Sequence, residues 1–164
     1  MKTYLAEIHD LPIIRELAYA IWPVSYSELL SRDQLDYMLE NFYSLESLTR
    51  QMLDQGHKFL IAERNDFPLA FASYELNNND SNFTKIHKLY TQPSEQGKGI
   101  GKSLIEIIEN ESKAAAMIGI MLNVNKYNSA KVFYEKIGFT VKGEEVIDIG
   151  EGYVMDDYIM GLTF

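Results

Sequence analysis

Hydrophobic and polar positions in the first half of the chain predict a short strand, then helices, then a hairpin. Ser31-Arg-Asp-Gln34 is a capping-box pattern that precedes Leu35, Met38 and Leu39 on one helical face. The expected elements are a strand at 2–8, a helix from Asp10 to about Trp22, a helix after Ser31, a helix from Ser44 that Gly56 closes, and strands at 59–62 and 69–74 around a turn at 65–68.

The second half alternates strands with helices. Helical spacing is clearest from Ile100 through Leu104 and Ile107 to Ile108, and Gly138 stands where a later helix should stop. The expected elements are a strand at 84–91, a loop at 92–99, a helix from Ile100, a buried strand at 117–124, a helix at 128–137, and strands at 139–146 and 153–162. This β-α-β-α-β order predicts parallel pairing in the middle of a mixed sheet.

The length of 164 residues and the absence of repeats or long linkers predict one domain, 1–164. The polar stretch at 76–82 reads as a loop because Asn and Asp tolerate left-handed backbone. Fifteen Lys and Arg against 24 Asp and Glu give a net charge of −9, which disfavours nucleic acid as a partner.

The chain has no cysteine, which excludes a thiol nucleophile, a disulfide framework and thiolate metal sites. The longest charge-free run, between Lys113 and Lys126, is far shorter than the ~20 apolar residues that span a bilayer. Glu7, His9 and Asp10 interrupt any signal-peptide core. We therefore expect a cytoplasmic protein with no membrane partner.

The sharpest local feature is Gln96-Gly-Lys-Gly-Ile-Gly101, which follows a predicted strand and opens a predicted helix. Glycines let the backbone approach a ligand closely, and a helix N-terminus attracts anions, above all phosphate. Lys98 and Lys102 add two cations, although a glycine-rich turn without a ligand would look the same. The segment matches neither of two known phosphate-binding motifs. A Walker A loop requires glycine at the position of Gln96, and a dinucleotide-binding fingerprint requires glycine at the position of Lys102.

The loop does fit Gln-x-x-Gly-x-Gly at Gln96, Gly99 and Gly101, and a second stretch, 122–139, carries Asn, Ala, Phe-Tyr and Gly-Phe in a strand-loop-helix order. On these two motifs the chain resembles the GNAT superfamily of N-acetyltransferases. The resemblance implies an α/β fold of the α+β type, with a mixed, mostly antiparallel sheet of six to seven strands, a parallel central pair and helices on both faces.

The resemblance also implies acetyl-CoA as the cosubstrate. The loop would hold its pyrophosphate, and the end of the preceding strand would pair with the pantetheine arm. The implied binding residues are Leu89, Tyr90, Thr91, Gln96, Gly97, Lys98, Gly99, Ile100, Gly101, Lys102, Asn128 and Tyr134. Asn128 would also serve as a helix cap, and both roles are compatible.

Tyr134 occupies the position of the family's general acid, where a phenol with a pKa of about 10 donates a proton to the leaving thiolate. Its helical spacing alone would equally suit a core aromatic. His87 and Glu75 are candidates for the general base, with a water relay as the alternative. With no cysteine and no Gly-x-Ser-x-Gly elbow, direct attack in a ternary complex is favoured over an acyl-enzyme.

The three histidines, His9, His57 and His87, lack metal-ligand spacing, so we expect no metal. A narrower resemblance to PaiA-type polyamine acetyltransferases comes from 86–90, 152–158 and the segment that begins at Trp22. It suggests a small-molecule amine as acceptor, and acidic Glu28, Asp33 and Asp36 lie in the region that borders the acceptor channel in this family.

Two other functions stay open from the sequence, namely acetylation of a protein N-terminus or lysine, and a non-catalytic CoA-binding sensor domain. Exposed strands near the C-terminus make a homodimer plausible.

Overall fold

A computed structural model describes all residues from 1 to 164 and contains seven strands and five α-helices. The strands are β1 Lys2–Leu5, β2 Lys58–Arg64, β3 Phe67–Glu75, β4 Phe83–Thr91, β5 Gly119–Asn125, β6 Thr140–Gly150 and β7 Tyr153–Thr163. The helices are α1 Leu11–Ser25, α2 Arg32–Tyr43, α3 Leu45–Leu53, α4 Ile100–Ala114 and α5 Ala130–Lys136. The strand order is β1-β2-β3-β4-β5-β7-β6, with β4 and β5 parallel. The mixed sheet with a parallel pair is confirmed.

The chain forms two compact units, each defined by the contacts among its own residues. The first unit comprises Met1–Glu75 and Lys88–Ile108, and the second comprises Leu76–His87 and Glu109–Phe164. No helix has both the length and the apolar character that crossing a membrane requires.

The first unit buries an aromatic core between its helices and strands. Trp22 of α1 lies 5.4 Å from Tyr43 of α2 and 5.6 Å from Tyr90 of β4, measured between ring centroids. The predicted starts of α2 and α3 are confirmed, because the Ser31 and Ser44 hydroxyls accept hydrogen bonds from the backbone N–H groups of Gln34 and Ser47.

The hairpin of the first unit corrects the predicted turn. Only Asn65 and Asp66 form the turn, both with left-handed backbone, while Phe67 and Pro68 belong to β3. A two-residue turn with positive φ at both positions matches the twist of paired strands. The two strands therefore continue up to this turn, and Pro68 lies within β3 instead of in the turn.

The second unit pairs β5 with β7 and β7 with β6, both antiparallel. The Thr84 and Ser112 hydroxyls hydrogen-bond at 2.7 Å inside this unit and link β4 to the end of α4. Strand β6 extends to Gly150, beyond the expected end at 146. The sequence pattern missed this end because most positions of β6 are exposed, so that hydrophobic and polar residues do not alternate along it. The predicted loop at 76–82 is confirmed, with left-handed backbone at Asn77, Asn79, Asp80 and Asn82.

Candidate active site

The glycine loop joins β4 to α4 within the first unit. Gly97 and Gly99 have φ angles of 78° and 82°, and a Cβ atom at either would meet nothing within 4 Å. The carbonyl of Gly99 accepts the N–H of Ser103 at 3.0 Å, which marks the first helical turn. In that turn the N–H groups that follow Gly99 have no helical acceptor. These free N–H groups lie at the N-terminus of α4, where the helix dipole carries partial positive charge. The loop can therefore bind an anion through its backbone.

The lysines beside this loop are paired with carboxylates. Lys98 Nζ lies 3.3 Å from Glu95, and Lys102 Nζ lies 3.8 Å from Glu106. Glu95 also accepts a 3.0 Å hydrogen bond from Arg64, which is the main cause of its lowered pKa. The two cations are thus partly balanced locally, and the backbone donors remain the stronger anion-attracting feature of the loop.

The end of β4 lies next to the loop in sequence and is tied to it. Leu89, Tyr90 and Thr91 are half-buried, and Gln96 Nε2 donates to the Thr91 carbonyl at 3.5 Å. The hydroxyls of Tyr90 and Tyr26 hydrogen-bond at 3.1 Å. The aromatic contacts of Tyr90 hold this segment of strand in a defined position.

Lys88, a residue that the sequence analysis did not single out, is buried two positions before Tyr90. Its Nζ donates to Gln51 Oε1 at 2.6 Å and lies 5.5 Å from the ring centroid of Tyr43. Burial lowers the pKa of Lys88 to about 7. The alternation of Thr84, Ile86 and Lys88 along the strand was the signal that could have placed it on a buried face.

The two residues predicted as general base occupy different strands. Glu75 ends β3 in the first unit, where its carboxylate lies 3.9 Å from Nε2 of buried His57. His87 is half-buried on β4 in the second unit. The absence of a metal, expected from sequence spacing, stays a prediction.

In the second unit, the start of α5 carries the other predicted binding residues. Asn128 Oδ1 accepts the N–H of Ala130 at 2.9 Å from the position before the N-cap residue, Ser129, so Asn128 binds a first-turn donor although it is not itself the N-cap. The helix begins two residues later than predicted because Asn128 and Ser129 form its capping turn. Tyr134 is 8% exposed and packs against Phe133 and Phe139, with ring centroids 5.2 and 5.8 Å away.

Comparison with known proteins defines the family. Residues 27–154 match the model of an acetyltransferase (GNAT) domain, and the chain belongs to this family. It is 31% identical over 142 residues to the peptidyl-lysine N-acetyltransferase YjaB of Salmonella typhimurium, covering 84% of this chain and 86% of that protein. It is 25% identical over 154 residues to spermidine N(1)-acetyltransferase of Thermoplasma acidophilum, covering 91% of each.

A crystal structure of PaiA N-acetyltransferase from Thermoplasma acidophilum in complex with coenzyme A matches with a TM-score of 0.81 and 25% identity, covering 100% of both chains. The chain is therefore an acetyl-CoA-dependent N-acetyltransferase. The open glycine loop fits this donor, because its positive-φ glycines leave room beside the helix start where a pyrophosphate needs backbone donors.

Proposed function

We propose that this enzyme transfers the acetyl group of acetyl-CoA to a primary amine of a small cationic molecule, with polyamines as the leading class. The observation that carries the proposal is the similarity to a spermidine acetyltransferase along 91% of both chains. The net charge of −9 supports it, because an acidic protein attracts small polycations.

We propose the following roles from the resemblance to the family, and the local structure of each unit supports them. In the first unit, the backbone of the loop from Gln96 to Lys102 binds the pyrophosphate, and the backbone of Leu89, Tyr90 and Thr91 pairs with the pantetheine arm. In the second unit, Asn128 caps α5 and contacts coenzyme A, and Tyr134 donates a proton to the leaving sulfur. Direct attack by the amine fits a chain without cysteine, since orientation of two bound substrates can supply several kcal/mol.

The acidic residues of the α1–α2 region support a cationic acceptor. Glu28 and Asp33 are exposed, whereas Asp36 lies 3.3 Å from Arg32 and is partly neutralised. Glu28 and Asp33 are therefore the carboxylates that we propose for a distal ammonium group of the acceptor.

Thiol release from acetyl-CoA, measured across spermidine, spermine, a monoamine of similar length and a lysine-containing peptide, tests the proposal. We expect turnover with the polyamines and a KM for spermidine that rises with ionic strength, because charge attraction is screened over ~10 Å at 0.1 M salt. The KM of the monoamine should rise less. If polyamines release no thiol while another acceptor does, the polyamine proposal is wrong and the acetyltransferase assignment stands.

The second candidate function is acetylation of peptidyl-lysine, which the relative at 31% identity favours. The same assay decides between them, because a peptide that is acetylated at a higher kcat/KM than spermidine would establish it. The single domain, the homodimer and the cytoplasmic location stay predictions.

A further inference from the structure

Lys88 is a buried lysine of the first unit, and it directly precedes the strand segment that we propose for the pantetheine arm. The residue is only 9% exposed. Burial of an ammonium group is costly even when polar groups compensate for it. An apolar residue would serve packing alone at this position, so the presence of lysine indicates a role for its polar group.

The hydrogen-bond acceptor of Lys88 is a fixed side chain of α3. Lys88 Nζ donates to Gln51 Oε1 at 2.6 Å, and Gln51 Nε2 donates to the Phe42 carbonyl and to Ser47 Oγ, each at 3.0 Å. Gln51 is 7% exposed, and its backbone carbonyl accepts the N–H of His57 at 2.9 Å. Both polar atoms of the Gln51 amide are thus engaged, so that Oε1 offers Lys88 an acceptor in a defined position.

Two aromatic rings also surround the ammonium group of Lys88. Its Nζ lies 5.5 Å from the ring centroid of Tyr43, the last residue of α2, and 5.9 Å from that of Phe59 in β2. These distances fall within the range of about 6 Å over which a cation is attracted to an aromatic ring. The side chain of Lys88 is therefore held by α2, α3 and β2, although the residue belongs to β4.

The segment Leu89–Thr91 lies beyond the parallel part of β4. The parallel register of β4 with β5 is formed within the second unit and ends at Ile86 and Leu122. The segment belongs to the first unit and takes no part in that register. Its position therefore depends on other contacts, of which the bond of Lys88 is the nearest along the chain on the side of Ile86.

The two ends of the segment Leu89–Thr91 are anchored to different elements. At the far end, Gln92 donates its backbone N–H to the Leu69 carbonyl and its side-chain amide to the Pro68 carbonyl, each at 2.8 Å. At the near end, Lys88 binds α3. A ligand that pairs with a strand needs backbone N–H and C=O groups at defined distances and angles. Loss of the anchor at Lys88 should therefore weaken the pairing of the segment with a ligand.

We propose that Lys88 is a positioning residue for acetyl-CoA, because its hydrogen bond to Gln51 holds the backbone of Leu89–Thr91 where it can pair with the pantetheine arm. The inference rests on the proposed function, which assigns this segment to the arm. In this role Lys88 acts through the strand and does not itself contact a substrate. The glycine loop lies beyond the anchor at Gln92, so Lys88 should affect binding of the arm and leave binding of the pyrophosphate unchanged.

The experiment compares Lys88→Met with the parent enzyme and with Lys2→Met. Methionine keeps an unbranched side chain and removes the donor. Lys2 is an exposed residue of β1 whose Nζ lies 3.2 Å from Glu63, so Lys2→Met removes the same charge and a side-chain hydrogen bond from the same unit. This control measures the effect of net charge on an anionic ligand. Acetyl-CoA and adenosine 5′-diphosphate, which has a pyrophosphate but no pantetheine arm, are each titrated by calorimetry.

We expect the acetyl-CoA Kd to rise about tenfold in Lys88→Met, because a buried hydrogen bond that orders the segment is lost. The Kd of adenosine 5′-diphosphate should stay unchanged, and Lys2→Met should leave both Kd values unchanged. Gln51→Met should raise the acetyl-CoA Kd by a similar factor. The double variant should bind acetyl-CoA no more weakly than either single variant, because the two residues act through one bond. Should Lys88→Met fail to fold because Gln51 Oε1 is left without its donor, the double variant lacks that acceptor and carries the same expectation.

An unchanged acetyl-CoA Kd in folded Lys88→Met, or in the double variant in its place, would overturn the inference. Equal weakening of acetyl-CoA and adenosine 5′-diphosphate would also overturn it, since Lys88 would then support the unit as a whole. Additive effects of Lys88→Met and Gln51→Met would show that their bond is not the anchor. If the parent binds acetyl-CoA no more tightly than adenosine 5′-diphosphate, the assignment of Leu89–Thr91 to the arm, and hence the proposed function, has failed instead.

Discussion

The starts of α4 and α5 are two helix N-termini that follow strands β4 and β5, and they handle their backbone donors in opposite ways. The loop that leads into α4 contains Gly97 and Gly99, and a Cβ atom added at either would meet no other atom within 4 Å. The start of α5 is closed by Asn128, whose side chain accepts the N–H of Ala130. The first is therefore available to an anion, whereas the second is largely satisfied within the chain.

This difference determines how each region can be disrupted. A binding surface made of backbone N–H groups is lost when atoms are added to a glycine. A site that acts through side chains is lost when one functional atom is removed. The predictions below contrast the two regions in order of decreasing effect.

Gly99→Glu should have the largest effect. The left-handed backbone strains any side chain, and a carboxylate beside the helix start repels a pyrophosphate. We expect the acetyl-CoA affinity from calorimetry to fall by about 100-fold or more, a loss of about 2.7 kcal/mol. Gly152→Glu is the matched control, because Gly152 has the same φ of 78° as Gly97 and open space in the β6–β7 turn. Equal affinity in folded Gly99→Glu and the parent would place the pyrophosphate elsewhere.

Tyr134→Phe removes one oxygen and keeps the packing against Phe133 and Phe139. We expect kcat to fall by about 10²-fold, the lower end for acid catalysis, with the acetyl-CoA Kd little changed. Tyr127→Phe, at a neighbouring position that is 76% exposed, is the control. Full turnover in Tyr134→Phe, under conditions where chemistry limits the rate, would make Tyr134 a core residue only.

Asn128→Ala should destabilise the start of α5. Loss of a capping side chain costs about 1 kcal/mol, which corresponds to a Tm lower by about 2–4 °C in a chain of this size. Asn128→Ser keeps a hydroxyl acceptor and should restore the Tm in a thermal denaturation series. Weaker acetyl-CoA binding in Asn128→Ser at unchanged Tm would separate the proposed contact with coenzyme A from the cap. A Tm of Asn128→Ala equal to that of the parent would contradict the cap.

Lys98→Gln should have the smallest effect. Its exposed ammonium is paired with Glu95, and exposed pairs contribute little, so we expect the acetyl-CoA Kd to rise by no more than about threefold. A tenfold rise in the acetyl-CoA Kd, measured by the same calorimetry, would show that the Lys98 side chain contributes to binding together with the loop backbone.

The glycine loop was predictable because its signal is local. Gln96, Gly99 and Gly101 are close together in sequence, and the backbone conformation that they allow depends on the missing Cβ atoms rather than on distant contacts. The caps at Ser31, Ser44 and Asn128 were predictable for the same reason, since each acceptor lies within three residues of its donor.

The buried charged residues were not predictable in this way. The pairing of Lys88 with Gln51 spans 37 positions, and the bond from Asn123 to Asp157 spans 34. Their pKa shifts come chiefly from burial, which depends on how strands and helices from distant parts of the chain pack together. The sequence by itself determined the order of most elements, the family and the position of the glycine loop, because these depend on periodicity and short motifs. Only the tertiary structure decided that Lys88 and Asp157 are buried, because strand register and desolvation are properties of the packed chain.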